Sequence, residues 1–133
     1  MARLKDVVLD CDHPASLARF WAAALDGYEI APYDDEEIAR LRSLGYSGPE
    51  EDPGVKILGP PGAPSFYCQL VPEGKTAKNR CHVDLWSDDV PAEAARLEAL
   101  GATRLPLQPA DAGDDFVAMA DPAGNEFCLT RSV

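Results

Sequence analysis

The sequence predicts an α+β fold in which two βαβββ modules pair their curved sheets around a shared cleft. Three observations carry this. Asp6-Val7-Val8-Leu9 and a proline-started helix ending at Leu25-Asp26-Gly27 are echoed by His82-Val83-Asp84-Leu85 and a helix ending at Leu100-Gly101. After each helix come three short apolar segments punctuated by Gly, Pro and Asp, the pattern of strands joined by turns. A half built this way leaves one sheet face uncovered, so two halves must combine. At 133 residues the chain has the size of one domain. The expected division is a single domain over 1–133, with module one at 4–72, a linker at 73–79 and module two at 80–131.

Residues 4–11 read as the first strand, rich in β-branched and apolar residues, with Asp6, Val8 and Asp10 on one face and Val7, Leu9 and Cys11 on the other. Asp12-His13-Pro14 reads as a helix start. An acidic or imidazole cap there precedes a proline whose missing N–H costs nothing in the first turn. Leu17, Phe20, Trp21, Ala24 and Leu25 make one apolar helical stripe, and Gly27 supplies the left-handed residue that ends it. A short strand is expected at 28–31. The composition then turns acidic at Asp34-Asp35-Glu36-Glu37, which opens a small helix with Arg40 and Arg42 late, Ile38, Leu41 and Leu44 on one side, and Gly45 at its end. This charge run reads as a solvated face. The following loop, 47–54, has the Gly, Pro and acidic content of a mobile segment, so the region could also serve as a lid.

Strands are expected at 55–58 and 65–71, joined by the turn chemistry of Gly59-Pro60-Pro61-Gly62-Ala63-Pro64. On the second, Tyr67, Gln69 and Val71 alternate with Phe66, Cys68 and Leu70. The linker that follows is locally basic, with Lys75, Lys78 and Arg80, and reads either as a solubilising connector or as an anion-contacting lip. Strict alternation over 79–86 predicts the strand that opens module two. It sets His82, Asp84 and Trp86 on one face and Cys81, Val83 and Leu85 on the other. Asp88-Asp89-Val90-Pro91 then starts a helix that buries Val90, Ala94, Leu97 and Leu100 and stops at Gly101. Strands at 103–107 and 115–120 flank a polar loop containing Gly113. Asp121-Pro122-Ala123-Gly124-Asn125 is a tight turn into a last strand at 126–131.

The formal net charge of -11 opposes binding to nucleic acid or to an anionic membrane surface. Small molecules or other protein surfaces are the expected partners. No apolar run reaches the roughly 20 residues that cross a bilayer, and the N-terminus lacks the apolar core of a signal peptide, so a cytoplasmic protein is expected. Cys11, Cys68, Cys81 and Cys128 fall singly in apolar, strand-like contexts, as free thiols of a reducing compartment do. Phosphate loops, nucleophile elbows and H-E-x-x-H are absent from the sequence.

The two-module organisation, with the stretches FWAAALDGYEI, NRCHVDL, LEALGAT and DPAGNEFCL, resembles the vicinal oxygen chelate superfamily from Leu4 to Thr130. The similarity is greatest to its small glyoxalase-like members, akin to glyoxalase I and the bleomycin resistance proteins. In metal-binding members, the resemblance implies four ligands, one from the first and one from the last strand of each module. By position these fall on Asp6, Gln69, His82 and Cys128. Asp6 is a competent oxygen ligand and Gln69 a weak neutral one, while a Cys128 thiolate would favour zinc. Glu126, on the same strand face as Cys128, could supply a carboxylate instead.

Two functions follow. In the first, a divalent metal such as zinc, nickel, manganese or iron polarises a substrate carbonyl or enolate oxygen while Asp84 or Glu126 moves a proton, lyase or isomerase chemistry of glyoxalase type. In the second, a metal-free protein binds or sequesters a small, aromatic or antibiotic-like compound against Tyr67, Trp86 and Asp10. Each residue also has a structural alternative: a hydrogen-bonded strand histidine for His82, a carboxylate tied to Arg80 or Lys78 for Asp84, core packing for the aromatics. The oligomeric state stays open, because such folds complete a cleft within one chain or across a homodimer.

Overall fold

A computed structural model describes residues 1–106 and 113–131. The chain forms two compact units, Met1–Gly74 and Lys75–Val133. Each has the βαβββ order read from the sequence, and each carries a four-stranded mixed sheet.

In the first unit β1 (Asp6–Cys11), β4 (Ser65–Leu70), β3 (Gly54–Leu58) and β2 (Glu29–Ile30) lie side by side in that order. β1 runs parallel to β4 and the remaining pairs are antiparallel. Alternation turns Phe66, Cys68, Val55 and Ile57 to the helix side, where they are buried. The helix α1 (Pro14–Ala24) packs there through Leu17, Ala18, Trp21 and Ala24. Trp21 stacks on Phe66 with ring centroids 5.3 Å apart, and Tyr28 meets Phe66 edge-on.

The second unit repeats the plan with β5 (Val83–Ser87), β8 (Glu126–Arg131), β7 (Phe116–Ala120) and β6 (Thr103–Arg104), again with one parallel pair, β5 with β8. Val117, Met119, Phe127 and Leu129 are buried on the helix side, with Val90, Ala94 and Leu97 of α3 (Val90–Leu100). The opposite face carries Asp84, Cys128 and Ala118 in a single row across three strands, because Cys128 is in register with both neighbours.

Several sequence expectations need correction. The strand predicted from residue 79 begins at Val83, because the Asn79 N–H is bonded to the Glu126 carboxylate and its side chain to Asn125 rather than to a strand partner. Cys81 is consequently exposed, outside the apolar strand context expected for it. Leu44 and Leu100 occupy helix ends and are exposed, so the packed sides end at Leu41 and Leu97. His13 occupies the N-cap of α1 but makes no side-chain cap bond. The strands expected at 28–31 and 103–107 contract to two residues each within the described segments, and residue 107 lies outside them.

The acidic helix α2 (Asp35–Ser43) is capped by the Asp34 carboxylate, which accepts from the Glu37 N–H at 2.8 Å. The loop after it is anchored rather than bare of contacts. It contains a single 3-10 turn at Pro49–Glu51, Arg19 clasps Glu50 with two hydrogen bonds, and the Tyr33 hydroxyl donates to the buried Asp52 at 2.7 Å.

Candidate functional site

The register of the second sheet explains what gathers on its open face. Parallel pairing sets Asp84 directly beside Cys128, and the preceding even position on the same side is His82. One ligand atom each from His82, Asp84 and Cys128 lies within 4.8 Å of the others. His82 Nε2 stands 3.3 Å from Asp84 Oδ1, so the carboxylate is placed to orient the imidazole. Burial, followed by the neighbouring Asp84 carboxylate, pushes the Cys128 thiol above its usual range, with Lys78 opposing.

The set fits a divalent metal in kind. Imidazole, carboxylate and thiolate together are a donor set that zinc accepts. Ligand atoms around tetrahedral zinc lie about 3.5 Å apart, so small side-chain rotations would close the group. His82 and Asp84 are exposed, so a metal held by this group would be reachable from solvent.

Beside this cluster is a cavity of about 670 Å³. Leu105, Pro106, Phe116 and Ala118 make its wall apolar, His82 and Cys128 border it, and Lys75, Lys78 and Glu126 supply its charge. The small Ala118, next to Cys128 in the row, leaves that space unfilled.

Glu126 is engaged elsewhere. Its carboxylate accepts from Lys75 Nζ at 2.9 Å and from the Asn79 N–H at 3.1 Å. Burial alone would raise its proton affinity, but these bonds outweigh burial and hold the carboxyl below its usual range. The Lys75 stem reaches this position by crossing Gly124 of the D-P-x-G-N turn, where an added Cβ would stand 3.1 Å from Lys75 Cγ.

In the first unit Asp6 is likewise paired with a lysine. Lys56 Nζ lies 3.2 Å from Asp6 Oδ1, a buried atom with an ion pair but no hydrogen bond. Gln69 is exposed on β4 in the row of Asp10. Tyr67 lies across β3: a Cβ on Gly54 would stand 1.9 Å from its hydroxyl oxygen. With Tyr33, Arg40, Asp52 and Lys56 it borders a polar cavity of about 510 Å³. Trp86 is 67% exposed.

The sequence-derived residues thus fall into two groups. His82, Asp84 and Cys128 converge and Glu126 lies near their cavity, whereas Asp6, Asp10, Gln69 and Tyr67 belong to the first unit's sheet. Sequence reading missed the lysine partners. The polar Lys56 between Val55 and Ile57 was a usable sign of an open-face residue, but Lys75 in an irregular linker carried no periodic signal.

The glyoxalase-like domain model matches residues 6–130, and the chain belongs to that family. Solved structures with the same fold include the fosfomycin resistance protein FosX of Mesorhizobium loti, at 13% identity over 100% of this chain and 94% of that one, with a TM-score of 0.64. A glyoxalase/bleomycin resistance protein/dioxygenase family enzyme of Burkholderia phytofirmans gives 13% identity, 99% and 100% coverage and a TM-score of 0.64. Glyoxalase I of Leishmania major gives 12%, 98% and 87%, and 0.62. FosX of Listeria monocytogenes, at 12% identity over 98% of this chain and 90% of that one with a TM-score of 0.62, was solved with Mn(II) and 1S,2S-dihydroxypropylphosphonic acid. A search of curated proteins found no match. No helix among the described residues is long and apolar enough to cross a membrane.

Proposed function

We propose that the second unit takes a compact, largely apolar molecule into its cavity and holds a divalent metal on His82, Asp84 and Cys128 at the cavity wall. The thiol ranks zinc ahead of nickel, manganese or iron for this donor set. The observation that carries this is the approach of imidazole, carboxylate and thiol to within 4.8 Å, beside an apolar cavity. A metal there supplies a Lewis acid for a carbonyl or enolate oxygen, the chemistry of a glyoxalase-type lyase or isomerase. The chain's own residues supply the rest. Phe116, Leu105 and Pro106 offer an apolar wall for the substrate body. Glu126, ionised and held by Lys75, is a poor proton acceptor because its proton affinity is low. Asp84, the other carboxylate of the group, is then the residue that would move a proton.

The test is metal uptake. Protein purified without chelator and titrated by calorimetry should take up one zinc per chain. His82→Ala and Cys128→Ala should each weaken binding by more than about tenfold, roughly 1.4 kcal/mol. Affinity should rise with pH, since the raised thiol must lose its proton to bind. Absence of zinc uptake, or uptake indifferent to both substitutions, rules the metal out.

A second function, metal-free binding of a small compound, is favoured by a different observation. Lys56 and Lys75 already neutralise Asp6 and Glu126. It predicts that ligand protects the chain against thermal unfolding equally with and without a chelator; protection confined to the metal-loaded protein excludes it.

A further inference from the structure

We infer that the molecule taken into the second unit's cavity carries one anionic group on an apolar body, and that Lys78 is the residue that selects for it. This deepens the ligand-binding half of the proposed function and does not depend on the metal.

The cavity's charge is unevenly committed. Of its two lysines, Lys75 is consumed internally: its ammonium bonds Glu126 and the Ala77 carbonyl. Lys78 makes no hydrogen bond or ion pair among the described residues. Lys78 is exposed and borders the cavity together with Cys128. With Glu126 paired to Lys75, Lys78 is the unpaired cation among the described lining residues, and the Asp84 carboxylate beside Cys128 faces His82.

Because Lys78 is exposed, its attraction for an anion acts as a contact at the cavity lip that salt screens. The wall of Leu105, Pro106, Phe116 and Ala118 is apolar, and the uncharged polar groups of the lining are confined to Thr76, His82 and Cys128. A cavity of this volume suits a compound of one or two rings, and the lone cation fixes which end stays at the lip. A cationic compound would meet Lys78 repulsively, so a positively charged drug is disfavoured at this site.

The matched fluorescent probes 1-anilinonaphthalene-8-sulfonate and N-phenyl-1-naphthylamine, which share a ring system and differ by the anion, test this on the full chain. The wild-type protein should bind the sulfonate at least about tenfold more tightly, the effect of a charge-assisted contact. Lys78→Gln should abolish that preference while leaving the neutral probe's affinity in place, and Lys78→Arg should retain it. Added salt should weaken the sulfonate alone. A preference that survives Lys78→Gln, or equal binding of both probes by the wild type, overturns the inference and leaves cavity binding standing. Filling the cavity with Ala118→Leu should weaken both probes. Should both bind unchanged in that variant, with its unfolding transition intact, they lie elsewhere, and both cavity binding and the ligand class fall; Phe116→Ala, which enlarges the same wall, gives the independent check.

Discussion

At the scale of single residues, the most consequential contacts join side chains distant in sequence. Tyr33 and Asp52 form such a pair in the first unit, bonded at 2.7 Å with Asp52 only 4% exposed. Tyr33→Phe leaves a buried carboxylate oxygen without its donor and should cost about 1–3 kcal/mol in urea denaturation. Burial, and then the Asp52 carboxylate, push the Tyr33 phenol above its usual range. A raised folded-state value favours the protonated phenol. Its contribution is therefore complete below the unfolded-state pKa of about 10 and declines as pH rises toward the higher folded value. Urea midpoints at rising alkaline pH should fall more steeply for the wild type than for Tyr33→Phe. The His82 and Asp84 pairing was legible from strand alternation alone, since period two puts them on one side. The resemblance set Cys128 with His82, but its approach to Asp84 comes from parallel pairing with a strand about 40 residues away, and nothing local in a sequence fixes such a register.

At the scale of elements, turns and helix starts were the most legible. The last strand was placed correctly at Glu126–Arg131 because the D-P-x-G-N turn announces it. Asp121 accepts from the Ala123 and Asn125 N–H groups, and Gly124 takes φ +89°. Gly124→Ala should destabilise by about 1–2 kcal/mol for the left-handed backbone. Crowding of the Lys75 stem adds to that. In a Lys75→Ala background the crowding part disappears, so a double-mutant cycle followed by thermal unfolding should show coupling between the two positions. Strand beginnings were less legible. The alternating pattern at Asn79–Trp86 continues upstream of the real strand, because Asn79 and its neighbours obey the same polar-apolar rhythm while bonding to the Asn125 turn.

At the scale of the whole molecule, the repeat and the charge were the readable quantities. Repetition of strand, helix and three strands predicted the architecture of each unit, since each order leaves the same pairing problem with the same solution. Net charge bears on partners rather than on fold. With -11 overall, a labelled DNA duplex should show no binding at physiological salt, and a salt-sensitive complex would contradict that expectation. Composition could not reveal where the few cations are spent: Lys56 and Lys75 each neutralise a carboxylate that the superfamily resemblance had offered to a metal.

The clasp between the linker and the last turn has a consequence for modification chemistry. Lys75 holds Glu126 by one ammonium, and acetylation of that amine would erase the charge while keeping the stem over Gly124. Glu126 would regain a free negative charge on the same wall as Lys78. One acetyl group at the linker would thus add an unpaired negative charge to the cavity lining without altering any residue of its apolar wall.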